Sequence, residues 1–159
     1  MTCTLILLRH AKSAWPEGVP DAQRPLAGRG RRDAPAVGRW LRRQVARIDL
    51  VLCSPAVRAL QTWDLAATQL DATPLVRHDE RLYGASAEEL LRITQELPHT
   101  ASTAALVGHN PDLEDLLELL TGTVEILKTS AIAVLTTPAT WAEAKARSWT
   151  LETLATPRG

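Results

Sequence analysis

With 159 residues, 45% of them hydrophobic and 23% charged, the chain has the size and composition of one ordinary globular domain with a sizeable core. Its 18 basic and 18 acidic residues cancel, which excludes a global field drawing it to nucleic acid, an anionic membrane or an acidic polymer; any anion site has to be local. The run Leu5-Ile6-Leu7-Leu8 is too short for a signal-peptide core or a membrane span and has no basic segment before it, so a cytoplasmic protein is expected. Two cysteines, Cys3 and Cys53, lack the close pairing of a zinc knuckle or a disulfide framework and are expected to be reduced and buried.

In chain order, the first element is a strand over residues 4–8, whose apolar residues are continuous rather than alternating, as in a parallel sheet covered on both faces. A helix follows through Val37, Trp40, Leu41 and Val45; because proline disrupts a helix interior, Pro35 places its start near Asp33. A second buried strand, 49–52, leads into Ser54-Pro55, read as a cap and first helical position, with Ala56, Leu60, Trp63, Ala67 and Leu70 at helical spacing to about residue 70. Ser86-Ala87-Glu88-Glu89 is a capping box opening a helix that buries Leu90, Ile93 and Leu97. The third strand, 104–107, is followed by Asn110-Pro111, again a cap and a proline, with Asp112, Glu114 and Asp115 at the positive end of the helix dipole. Residues 131–136 and 149–154 read as strands that finish the sheet. With no repeat, low-complexity tract or long linker, this alternation predicts a single three-layer α/β/α domain over 1–159 with a mostly parallel central sheet, one or two edge strands being antiparallel.

The three strand-like runs end in Arg9-His10, in Cys53-Ser54-Pro55 leading to Arg58, and in Gly108-His109-Asn110-Pro111. Ligands of open α/β sheets bind at the carboxyl ends of strands, so two arginines and two histidines are expected to share a pocket. Arginine presents a planar, permanently charged fork to phosphate oxygens, and neutral imidazole is a nucleophile that can hold a phosphoryl group covalently. His78, read as a strand end, and His99, beside Pro98, lack such a context. The five tryptophans are read as core anchors in a chain without Phe, and the seven arginines between Arg29 and Arg47 as a solvated helix face.

Leu8-Arg9-His10-Ala11-Lys12-Ser13-Ala14-Trp15 resembles the N-terminal signature of the histidine phosphatases, in the alanine-containing form of their SixA-like members. Arg24-Pro25-Leu26 with Gly28 and Gly30, then Ser54 to Thr62, Glu80-Arg81-Leu82-Tyr83 and Leu106 to Pro111 are similar to the family's further blocks in order. The resemblance implies a phosphoglycerate mutase-like fold, with His10 as nucleophile, His109 stabilising the transferring phosphoryl group, and Arg9 and Arg58 clamping its oxygens. It also implies a hydrogen bond from Ser13, a reach toward the phosphate or rim for Arg24, and for Glu80 the position of a proton donor. No metal or organic cofactor is implied. The expected substrate is a phosphorylated protein, such as a histidine-phosphotransfer domain, or a small phosphorylated molecule.

Two other readings remain open on this scaffold: a phosphoglycerate mutase-like or broad-specificity phosphomonoesterase, and a module that binds phosphorylated ligands without turnover. A cysteine-dependent phosphatase is disfavoured. Between Cys53 and Arg58 there are four residues rather than the five of those phosphate loops, and Pro55 removes a backbone donor.

Overall fold

A computed structural model of the protein describes residues 2–159. Six strands, β1 (Cys3–Arg9), β2 (Leu50–Cys53), β3 (Leu75–His78), β4 (Thr103–Gly108), β5 (Ile132–Thr137) and β6 (Thr150–Ala155), form one sheet in the order β3-β2-β4-β1-β5-β6. The first four are mutually parallel; β5 runs antiparallel to β1, and β6 antiparallel to β5.

Side chains on successive strand residues point to opposite faces, and both faces here are covered. Ile6, Leu8, Val51, Cys53, Ala105 and Val107 pack with Val37 and Leu41 of helix α1 (Gly28–Gln44) and with Ala59 and Trp63 of α2 (Val57–Ala67). Leu5, Leu7, Leu50, Leu52, Ala104 and Leu106 pack against Leu90 and Ile93 of α3 (Ala87–Gln95) and Leu113 and Leu117 of α4 (Asp112–Thr121). This double burial is why the strands read as unbroken apolar runs, each fully buried leucine contributing about 1.5–3 kcal/mol. Among the described residues, no helix is long and apolar enough to cross a membrane.

Neighbouring strands β1 and β4 send their following helices to opposite faces, α1 to one and α4 to the other. That divergence opens a crevice beyond their carboxyl ends. The register pairs Arg9 with Gly108 and Cys53 with Val107, so His10, Ser54 and His109 leave the sheet at one level. The His10 N–H donates to the Gly108 carbonyl at 3.1 Å and the Ser54 N–H to that of Val107 at 3.0 Å.

Several local expectations are corrected. Helix α1 starts at Gly28 rather than near Asp33, and Pro35 lies inside it. External packing holds the helix through that missing N–H. A Cβ on Gly30 would come within 2.1 Å of the Lys12 carbonyl oxygen, and one on Gly38 within 2.0 Å of that of Ala66, so backbone sits on backbone at both positions. Pro55 does not open α2, which begins at Val57 and ends at Ala67. Pro111 likewise precedes the first turn of α4, at the N-cap. The capping box of Ser86 and Glu89 is formed as expected.

The five tryptophans do not all anchor the core. Trp63, Trp141 and Trp149 are buried, but Trp15 is 75% exposed and lies against the Arg24 guanidinium, 3.5 Å from the ring centroid. Cys53 is buried, whereas Cys3 is only half-buried; both are free thiols. Of the arginines between Arg29 and Arg47, Arg29 pairs with Asp33 and Arg47 with Asp49, while Arg31, Arg32, Arg42 and Arg43 are exposed.

Candidate active site

Four residues named from the sequence, Arg9, His10, Arg58 and His109, come together at the carboxyl ends of β1 and β4 and the start of α2. The His10 and His109 ring centroids are 5.3 Å apart. His10 Nδ1 lies 2.7 Å from the Ala11 carbonyl oxygen, which can only accept, so Nδ1 carries the proton and Nε2 keeps its lone pair. The adjoining backbone is fixed as well: the Ala11 N–H donates to Thr62 Oγ1 at 2.9 Å, and that hydroxyl donates to the Arg58 carbonyl at 2.7 Å. The His10 carbonyl accepts the Ser130 N–H at 3.1 Å.

His109 Nε2 is 2.7 Å from Ser54 Oγ, and the same oxygen accepts the Ala56 N–H at 3.2 Å. The Tyr83 ring meets His109 edge-on, with centroids 5.5 Å apart. Burial lowers the His10 pKa to about 3, with the neighbouring His109, Arg58 and Arg9 adding to it against the Ala11 carbonyl. Burial and then the positive charge of Arg58 lower that of His109 to about 4. Both imidazoles are neutral near pH 7.

Arg9 donates through Nη1 to the Leu127 carbonyl at 2.9 Å. Arg58 donates through Nη1 to the Asp21 carbonyl at 2.7 Å and through Nη2 to Asp21 Oδ2 at 3.1 Å. Among the described residues, the Nε groups of both arginines, His109 Nδ1 and Ser130 Oγ are buried without a partner, as are Asn110 Oδ1, Trp63 Nε1 and Trp149 Nε1. Buried polar groups are nearly always satisfied, and four of these atoms belong to Arg9, Arg58, His109 and Ser130, the last bonded through its N–H to the His10 carbonyl.

Ser13 and Arg24 are buried and join the Arg58 group through Asp21. Arg24 Nη1 donates to Ser13 Oγ at 2.8 Å and to the Ala14 carbonyl at 3.1 Å, while its Nε donates to Asp21 Oδ1 at 3.0 Å. Arg24 therefore braces the loop between β1 and α1. Glu80 stands apart. Its side chain is exposed, at the first residue of a short 3-10 turn (Glu80–Leu82), and takes part in no side-chain hydrogen bond or ion pair among the described residues; Arg81 pairs with Asp79 and Glu96 instead. His78 ends β3 and His99 follows it in a loop, both exposed.

Sequence reasoning missed Asp21, Tyr83 and Thr62 as members of the site, and read Ser54 as a helix cap. The carboxylate of Asp21 receives Arg24, Arg58 and the Tyr83 hydroxyl, which pull its pKa far below the ordinary carboxylate value, Tyr83 foremost. The one available signal was the Asp21-x-x-Arg24 spacing, which suits a local ion pair.

Residues 5–104 match the family model described as histidine phosphatase superfamily (branch 1). A functionally uncharacterized protein of Mycobacterium tuberculosis is 42% identical over 147 residues, covering 86% of this chain and 90% of that protein. Among solved structures, one from Nakamurella multipartitia, provisionally assigned as a phosphohistidine phosphatase SixA, matches with a TM-score of 0.87 and 31% identity, over 99% of this chain and 97% of the other. A similarly assigned structure from Agrobacterium tumefaciens gives a TM-score of 0.84 and 28% identity, over 98% of both chains. With half of its length and more matched by the family model and its whole fold shared with SixA-like structures, the chain belongs to the histidine phosphatase superfamily, in its SixA-like branch, and is a phosphatase.

Proposed function

We propose that the protein is a phosphohistidine phosphatase that carries the phosphoryl group on His10. The observation that supports this most is the coincidence of a neutral imidazole with its Nε2 lone pair free and two arginine Nε donors that are buried without partners. A phosphate dianion meets both needs at once: its oxygens take the arginine donors, and its phosphorus faces the lone pair. In the first step His10 Nε2 forms a bond to phosphorus while the bond from phosphorus to the leaving group breaks, its electron pair going to the leaving atom. In the second, water attacks phosphorus, the P–Nε2 bond breaks, and inorganic phosphate departs with neutral His10 restored. Arg9, Arg58 and His109 hold the equatorial oxygens as charge develops, with Ser13 and Arg24 shaping the wall.

Phosphohistidine of a protein, for example on a histidine-phosphotransfer domain, is the favoured substrate. An alkoxide leaving group demands a positioned acid, whereas an imidazole leaving group is readily protonated. Glu80, exposed and unbonded, is poorly placed for such an acid, and the Asp21 carboxylate is held deprotonated. The relatives assigned to SixA point in the same direction.

The test is intact-mass analysis after rapid alkaline quenching, comparing wild type with His10→Ala in the presence of phosphoramidate. A phosphoryl adduct on wild type alone, stable to base and labile to acid, is the expected outcome. Undiminished hydrolysis by His10→Ala without an adduct on either protein would refute the assignment.

A further inference from the structure

A carboxylate that the sequence did not single out, Asp21, is bonded to Arg58. Asp21 opens a short 3-10 turn (Asp21–Gln23) after Pro20, in a loop closed on itself by the Ala14 N–H on the Pro25 carbonyl at 2.8 Å and by a bridge between Ser13 and Leu26. From there it meets Arg58 twice, through its backbone carbonyl on Nη1 and through Oδ2 on Nη2. Oδ2 also accepts the Tyr83 hydroxyl, and Oδ1 accepts Arg24 Nε at 3.0 Å. Arg24 is in turn fixed by Ser13, the Ala14 carbonyl and the face of Trp15.

A guanidinium has three nitrogens in one plane, and fixing two of them fixes the direction of the third. In Arg58 both terminal nitrogens belong to Asp21, and Nε is buried without a partner. We propose that Asp21 is a positioning residue: by holding both terminal nitrogens of Arg58, with Tyr83 and Arg24 steadying its carboxylate, it presents the Nε edge as that arginine's phosphate donor. The inference rests on the reading of Arg58 as a phosphate clamp.

This role differs from that of a proton donor, because a carboxylate shared by two arginines and a phenol stays ionised. It also reaches beyond a stabilising ion pair. The Asp21 side chain is 51% exposed, so its own desolvation costs little, but Arg58 and Arg24 are each 7% exposed and lose a counter-charge with it. Losing it is therefore expected to lower the melting temperature and, in protein that remains folded, to weaken oxyanion binding.

Inhibition by orthovanadate, hydrolysis of para-nitrophenyl phosphate and thermal melting are to be measured for wild type, Asp21→Ala, Asp21→Asn, Tyr83→Phe and the Asp21→Ala/Tyr83→Phe pair. Asp21→Ala is expected to weaken vanadate roughly ten-fold in protein shown by its melting curve to be folded at the assay temperature, as for loss of charge-assisted hydrogen bonds that orient a ligand group. Asp21→Asn, which keeps one acceptor oxygen, should recover part of that loss. Tyr83→Phe alone should weaken vanadate about two- to three-fold and add nothing in the Asp21→Ala background, the sign of residues acting as a unit. Vanadate binding that is unchanged or tighter in Asp21→Ala would overturn the inference, as would equal affinity in Asp21→Asn should the alanine variant not fold. Wild type that neither binds vanadate nor hydrolyses the ester would overturn the clamp itself, a failure visible before any variant is made.

Discussion

His10 and His109 face each other across the β1–β4 seam with ring centroids 5.3 Å apart, and both are held neutral by burial among arginines. In the unfolded chain each imidazole titrates near 6.5; in the folded protein His10 does so at about 3 and His109 at about 4. Between those values the unfolded state binds more protons, so stability is complete above about pH 6.5 and falls as the pH drops toward 4 and then 3. Urea unfolding at a series of pH values should show this loss in wild type and a flatter profile in His10→Gln/His109→Gln. The acid limb of kcat/KM, corrected for ionisation of the substrate phosphate, should lie below about pH 5. A limb at 6.5 would mean that the nucleophile is not the buried imidazole.

Cys53 is buried against α2, and burial, with Asp64 adding, pushes its thiol up to about 12. At neutral pH it carries no thiolate to attack phosphorus. Cys53→Ser is therefore expected to retain turnover of para-nitrophenyl phosphate within about three-fold, since a thiol that stays protonated contributes no nucleophile. Abolished turnover in a folded Cys53→Ser protein would remove His10 from the mechanism.

Glu80→Gln separates substrate classes. With its side chain exposed and unbonded, its loss should change hydrolysis of a phosphohistidine peptide by less than about three-fold, because an imidazole already protonated on its other nitrogen departs neutral without a proton from the protein. A loss of about 10² or more toward alkyl phosphates, the size of a general-acid contribution, would favour the phosphomonoesterase reading instead. Steady-state kinetics on both substrates decides this.

Gly38→Ala tests the contact between α1 and α2. The added methyl would meet the Ala66 carbonyl oxygen at 2.0 Å, backbone against helix backbone, with no flexible side chain to yield. Destabilisation of at least about 1–3 kcal/mol is expected, as for overpacking. Denaturant unfolding measures it, and a loss below 0.5 kcal/mol, the scale of ordinary surface substitutions, would show that the helices separate freely.

The continuous apolar strands were legible from the sequence, because a strand buried on both faces leaves no room for alternation, and β1, β2 and β4 lie within a residue or two of the expected positions. So was the grouping of Arg9, His10, Arg58 and His109, since each ends a strand, follows one directly or lies in the helix that comes next. Helix starts were less legible. Rules for proline describe local backbone cost, and in α1 that cost is outweighed by two glycine contacts to chain distant in sequence, Lys12 and Ala66. Ser54 shows the same limit: its hydroxyl takes the local Ala56 N–H, and it also bonds His109, 55 residues away.

The sequence by itself determined that this is an α/β chain with histidine phosphatase motifs at its strand ends. Only the tertiary structure joined Asp21 to Arg58 and Tyr83, because these contacts span 37 and 62 residues of sequence. It likewise decided which protonation state the two histidines hold. Residue type sets an imidazole near 6.5, and desolvation by a core assembled from the whole chain moves it.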